Sequence, residues 1–172
     1  MVEVGVLGED DRVELLEGEI AEMTPVGARH AASVNALARI LQRQVGDRFV
    51  VSVQNPIRCS ATSEPQPDLA LLAWRDDLYR DELPSAADIA LVVEVAGSSA
   101  GPDRDVKLPL YARSEIAEAW LVDLGEGVLE VHDRPSPAGY ARRTTFRPGE
   151  SAVSPSVAGL AVPVGEALVA DR

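Results

Sequence analysis

The sequence is short of several features, and each shortage excludes a class of protein. Its single cysteine, Cys59, excludes an internal disulfide and a metal site built from several thiolates. The longest apolar runs, such as IALVV before Glu94, fall far short of the roughly 20 residues that span a bilayer. The start, MVEVGVLGEDD, lacks the basic and apolar regions of a secretory signal. We therefore expect a cytoplasmic protein without membrane association, folded as a single domain over residues 1–172.

Positive charge is also scarce in this sequence. The chain has 28 acidic and 16 basic residues, which gives a net charge of −12. A field of that sign favours solubility and repels nucleic acid at long range. A function on nucleic acid therefore requires a local cleft lined by arginine.

The spacing of apolar residues predicts an α/β domain built around one mixed sheet. A helical stripe runs from about residue 28 to residue 45, and a second helix is predicted over 104–113, where Pro109 either kinks it or fixes its first turn. We expect an N-terminal hairpin over 13–23 and a C-terminal hairpin around 135–139. The remaining predicted strands are 49–54, 56–60, 68–73, 89–96 and 119–124.

Two carboxylates interrupt apolar strands, and a buried carboxylate is costly unless it is paired or bound to a metal. Asp68 opens the run DLALLA, and Glu94 lies inside IALVVEVA. If these strands are neighbours, the two acids can share a divalent cation, and oxygen ligands suit Mg²⁺ or Mn²⁺. The alternative is that Glu94 pairs with an arginine such as Arg58 and that Asp68 only caps a turn after Pro67.

Lysine is the rarest basic residue, since the chain has 15 arginines and only Lys107. Lysine can exchange a proton near neutral pH when its pKa is shifted, whereas arginine cannot. Lys107 follows the Glu94 strand, with Asp103 four residues earlier on the same helix face. We expect its ammonium to point at the carboxylate pair. The alternative is an ordinary exposed ion pair.

Three further polar residues are possible accessory members of the same site. They are His30 near the start of the first helix, Gln54 at a strand end, and Glu19 in the N-terminal hairpin. Each has an ordinary alternative as a solvated or capping side chain. His30 and His132 are too far apart in sequence to form a zinc motif.

Four segments, in order, resemble one bacterial family: VELLEGEIAEMTPVGARH, QNPIRCSATSEPQPDLALL, LVVEVAGSSAGPDRDVKLPLYA and EAWLVDL. These are similar to the Uma-type endonucleases of the PD-(D/E)XK nuclease superfamily. The resemblance implies a restriction-endonuclease-like core, with Asp68 and Glu94 as the acidic pair. It implies that both acids and the carbonyl of Val95 hold Mg²⁺ or Mn²⁺. The superfamily's lysine position is Ala96 here, and Lys107 looks like its migrated replacement.

The resemblance implies metal-dependent hydrolysis of phosphodiester bonds in nucleic acid, with DNA the expected substrate. The alternative function is a catalytically silent, nuclease-like binding or assembly module, which the net charge favours. A basic cleft formed by Arg29, Arg58, Arg104 and Arg113 would favour the nuclease.

A homodimer is also expected. Cutting a duplex commonly takes two active sites, and a two-fold dimer is the most frequent symmetric assembly. The tail GLAVPVGEALV and the strand VLEVHD also carry apolar residues that one core need not consume. We expect the interface to bury over roughly 1,000 Å².

Overall fold

The computed structural model describes residues 13–23, 26–97, 101 and 103–169. A two-stranded hairpin comes first, with β1 (Val13–Leu16) paired to β2 (Glu19–Glu22). Its turn contains Gly18, whose φ of +90° suits glycine. The N-terminal hairpin predicted from the sequence is therefore confirmed.

The centre of the fold is a six-stranded mixed sheet in the order β3-β4-β5-β6-β7-β8. Only β5 and β6 run parallel, and every other neighbouring pair is antiparallel. The α/β class with a mixed sheet, flanking helices and two hairpins is as predicted. The strands are β3 (Phe49–Val53), β4 (Leu69–Ala73), β5 (Ile89–Ala96), β6 (Glu118–Asp123), β7 (Val128–Ser136) and β8 (Gly139–Phe146).

Helix α1 (Ala28–Val45) covers one face of this sheet. Its buried side chains recur at helical spacing and include Val34, Leu37 and Leu41. They share a core with alternate residues of β4 and β5, such as Leu71. Gly46, at a φ of +54°, ends the helix where the sequence predicted its end.

The second helical segment covers the opposite face. It begins as a π-helical turn, Asp103–Lys107, and continues as α2, Leu108–Arg113. Pro109 lies in the first turn of α2, where its fixed φ suits the helix. Tyr111 and Leu108 of α2 pack against the other set of alternate residues in β4, β5 and β6.

The C-terminal segment packs on the sheet as β9 (Ser151–Val153), β10 (Ala161–Pro163) and α3 (Val164–Ala167). Most of its apolar side chains belong to the α1 core, where Leu160, Val162 and Val164 are fully buried, whereas Val153 and Val169 are exposed. Leu129 and Val131 of β7 are buried there too. The expectation that the apolar side chains of these segments stay exposed for an interface is therefore wrong, because most of them are buried in the core beneath α1.

The prediction of a strand over residues 56–60 is also wrong. This segment makes only isolated bridges, Arg58 with Ser85 and Ser60 with Ser63. Prolines at 56, 65 and 67 remove the N–H groups that a ladder on either side of it would need. None of the described helices is long and apolar enough to cross a membrane.

Candidate active site

The site lies where β4 begins and β5 ends. The two strands pair with Leu69 opposite Val93, and continuing this antiparallel register by one residue sets Asp68 opposite Glu94. Alternate residues of a strand share a face, so both acids lie on the α2 side with Ala70 and Val92. The fold therefore makes the two strands neighbours and puts both carboxylates on the same face of the sheet.

Asp68 accepts hydrogen bonds from three groups on three parts of the chain. Its Oδ2 lies 2.8 Å from Nε2 of His30, at the start of α1, and accepts from the backbone N–H of Val95 at 2.9 Å. Its Oδ1 accepts from the side-chain amide of Gln54 at 3.1 Å. These donors orient the nearly buried carboxylate and explain how it is accommodated at the mouth of an apolar strand.

Gln54 reaches Asp68 from a strained backbone position just after β3. Its φ is +50°, a left-handed conformation that non-glycine residues seldom adopt. The backbone N–H of Gln54 donates to the backbone carbonyl of Asp68 at 3.0 Å. The side-chain amide of Gln66 donates to the backbone carbonyl of Gln54 at 2.5 Å. Strain held in this way is concentrated at functional sites in proteins.

Glu94 is buried, and two donors contact the same one of its carboxylate oxygens. Oε1 accepts from the Tyr111 hydroxyl at 2.5 Å and lies 3.3 Å from the Lys107 ammonium. Burial raises the pKa of Glu94 to about 8, with Lys107 opposing that rise and the Asp103 and Asp68 charges adding to it. The second oxygen, Oε2, has no hydrogen-bond partner among the described residues.

Lys107 is nearly buried among three carboxylates. Its ammonium lies 3.1 Å from Glu14, 3.3 Å from Glu94 and 3.9 Å from Asp103. Burial alone lowers a lysine pKa, but the attraction of these three charges outweighs it and raises the pKa of Lys107 above its ordinary value. The ammonium is thus directed at Glu94, one member of the predicted carboxylate pair, and not into solvent, and its other partners are Glu14 and Asp103.

The donor set can be tested for its fit to a divalent cation. No group of three or more His, Cys, Asp or Glu side chains in the described ranges is arranged to hold a metal ion. Magnesium, however, is commonly held by one or two carboxylates with water completing its shell. Asp68 and the free Oε2 of Glu94 meet that requirement, and the Val95 carbonyl shares the strand edge from which its N–H reaches Asp68.

Sequence reasoning missed two members of this cluster. Tyr111 follows Lys107 by four residues, a helical spacing that could have identified it. Glu14 of β1 holds Lys107, and its carboxylate also accepts from the Gln66 N–H at 3.1 Å. Glu19, the residue chosen from that hairpin, is exposed and makes no contact with the site among the described residues, because it lies beside the hairpin turn.

Three of the four arginines predicted to line a basic cleft are paired with carboxylates. Arg58 pairs with Glu64 at 2.8 Å, so it is not the partner of Glu94. Arg113 pairs with Glu17 at 2.6 Å. Arg104 lies 3.1 Å from Glu130 and 3.5 Å from Asp123. Of the four arginines, only Arg29 has no carboxylate partner in the described part of the chain.

The mixed six-stranded sheet with its flanking helices is a nuclease-like fold. Residues 3–165 match the family model Uma2, described as "Putative restriction endonuclease", and the chain belongs to that family.

A solved structure supports the fold. The crystal structure of "a putative nuclease belonging to DUF820 from Anabaena variabilis ATCC 29413" is similar to this chain, with a TM-score of 0.76 and 15% identity. The similarity covers 97% of this chain and 95% of that one. No curated protein matches the chain.

Proposed function

We propose that this protein is a metal-dependent endonuclease that hydrolyses phosphodiester bonds in nucleic acid, with DNA as its substrate. The observation that carries the proposal is the convergence of Asp68, Glu94 and Lys107 at one end of two neighbouring strands. Membership of the Uma2 family supports the same class of reaction.

Asp68, Glu94 and the carbonyl of Val95 would hold Mg²⁺ or Mn²⁺. A divalent cation in such a site activates water and stabilises the charge that develops on a phosphate. The three donors to Asp68 hold its carboxylate in one orientation before a cation arrives. Tyr111 does the same for Glu94 and occupies the oxygen that faces the helix.

Lys107 would orient the attacking water or take a proton from it. Its long side chain is fixed by Glu14 and Asp103 as well as by Glu94, so little rotamer freedom remains to be lost when substrate binds. Preorganised donors of this kind lower the cost of reaching the transition state.

The second candidate function is a nuclease-like binding or assembly module without turnover. It is favoured by the net charge of −12 and by the ion pairs that occupy Arg58, Arg104 and Arg113. Both functions use the same fold, so the fold cannot distinguish them and a measurement of cleavage activity is needed.

A cleavage assay separates the two functions. Purified protein is incubated with single- and double-stranded DNA and RNA in Mg²⁺, Mn²⁺ or EDTA, with the Asp68→Ala variant purified identically. The nuclease predicts products with a metal that disappear in EDTA and in the variant. Equal products from both proteins would indicate a contaminating nuclease. No products from any substrate would favour the binding module.

A further inference from the structure

Helix α1 has an unusual charge composition for this chain. Its sequence, ARHAASVNALARILQRQV, contains Arg29, Arg39 and Arg43 but no aspartate or glutamate. The whole chain carries 28 acidic residues and a net charge of −12. The longest helix of the described structure is therefore a positive segment in a strongly acidic protein.

The three arginines lie on one exposed side of α1. The helix buries Val34, Leu37 and Leu41, whereas Arg29, Arg39 and Arg43 are all exposed. At about 100° per residue they fall within an arc of about 80° on the helix circumference. Asn35 and Gln42 are also exposed and lie beside this arc, about 40° and 60° beyond Arg39. We call the three arginines, Asn35 and Gln42 the α1 basic stripe.

The arginines of the α1 basic stripe have no carboxylate within ion-pair distance among the described residues. Most other described arginines do, as Arg58, Arg75 and Arg142 show with Glu64, Asp77 and Asp133. Arg48, beyond the helix end, is occupied differently, because its guanidinium donates to three backbone carbonyls. The stripe thus keeps guanidinium donors available for an external anion.

We propose that the α1 basic stripe binds the phosphate backbone of a DNA duplex. This inference rests on the proposed nuclease function and specifies how a strongly acidic protein holds an acidic polymer. Arginine forms paired hydrogen bonds with phosphate, and neutral Asn35 and Gln42 add donors without repelling it.

The position and length of the stripe fit this ligand. Arg29 to Arg43 spans 14 residues, or about 21 Å of helix, which matches roughly six base pairs at 3.4 Å each. His30, the residue after Arg29, contacts Asp68, so the N-terminal end of α1 lies beside the candidate active site. The stripe itself faces solvent, because Arg29 projects about 100° round the helix from His30. A duplex held along the stripe would therefore approach the acidic pair at that end of the helix.

The experiment measures binding of a fluorescently labelled 20-base-pair DNA duplex by anisotropy at several salt concentrations, with EDTA present to prevent cleavage. The test variant carries Arg29→Gln, Arg39→Gln and Arg43→Gln, since glutamine is a good helix former. A matched control removes three exposed arginines elsewhere and so has the same net charge: Arg80→Gln, Arg134→Gln and Arg147→Gln. Circular dichroism checks that both variants are folded.

We expect the stripe variant to bind roughly tenfold to a hundredfold more weakly and its log–log salt slope to fall by about 2 to 3, since three phosphate contacts are lost. The control should keep the wild-type slope. If the wild-type protein cleaves DNA but the stripe variant keeps the wild-type salt slope, the inference is overturned and the nuclease function stands. The same conclusion follows if the control variant lowers the slope as much as the stripe variant does. Wild-type protein that neither binds nor cleaves DNA would overturn both.

Discussion

The ammonium of Lys107, the only lysine of the chain, lies 3.3 Å from the carboxylate of Glu94, the only acidic residue of β5. Lys107 is the last residue of a π-helical turn, which is a rare element that is frequently found at functional sites. A buried ion pair alone is weak support for stability, since desolvation offsets much of its attraction. We therefore attribute the pair to the proposed cleavage reaction.

We predict that Lys107→Arg loses most of the cleavage activity while the protein stays folded. Arginine keeps the positive charge, but its planar guanidinium is larger, donates in a different geometry and cannot take a proton. Cleavage rate and far-ultraviolet circular dichroism are measured side by side. Retained activity in this variant would reduce Lys107 to an electrostatic clamp.

Glu14→Gln is predicted to lower the cleavage rate about tenfold to a hundredfold, the usual range for a residue that positions a catalytic group. Glutamine keeps an acceptor for Lys107 but removes the charge that holds its ammonium at 3.1 Å. The matched control is Glu19→Gln in the same hairpin, which lies exposed beside the turn and should cleave at the wild-type rate. Equal losses in both variants would mean that the hairpin matters only for folding.

Tyr111→Phe should reduce both stability and cleavage. It removes the hydroxyl that donates to Glu94 inside a buried site, and loss of such a partner costs about 1–3 kcal/mol in unfolding free energy. Tyr140→Phe is the control, because its hydroxyl donates to the Ile116 carbonyl away from the acidic pair. We expect denaturant unfolding to register both changes and the cleavage rate to register only the first. A similar activity loss in Tyr140→Phe would contradict a role for Tyr111 at the site.

A homodimer stays a prediction, and it now rests on the need to cut two strands rather than on spare apolar surface. Two protomers of net charge −12 repel, so association should strengthen as salt screens them. Sedimentation at tens of micromolar in low and moderate salt measures this. A monomer under both conditions would contradict it.

The fold was largely predictable because its signals are local. The apolar spacing of α1, the turn at Gly18 and the continuous apolar run of β5 each select one structure from nearest neighbours in sequence. The segment 56–60 misled because alternating apolar residues resemble a strand even where flanking prolines prevent a ladder. The tail misled because sequence does not show how much surface one core can bury.

The candidate site was predictable where a polar residue interrupts an apolar strand, as at Asp68 and Glu94. Glu14 was not predictable in this way. The hairpin register puts Glu14 and Glu19 on the same face, so alternation could not separate them. The difference between them is set by contact with Lys107, which is distant in the chain. The ion pairs of Arg104 and Arg113 are equally non-local, and for this reason the sequence did not show that these arginines are already paired with carboxylates.

The most direct test of the central claim is the Mn²⁺-dependent cleavage rate of a DNA duplex by three proteins: wild type, Asp68→Asn and Asp123→Asn. Asp123 is a buried carboxylate at the end of the neighbouring strand β6, and it controls for the loss of a buried charge. The account predicts that Asp68→Asn slows cleavage at least about a hundredfold, because it removes a proposed metal ligand. It also predicts that folded Asp123→Asn protein stays near the wild-type rate. Wild-type cleavage that persists unchanged in Asp68→Asn would contradict the account.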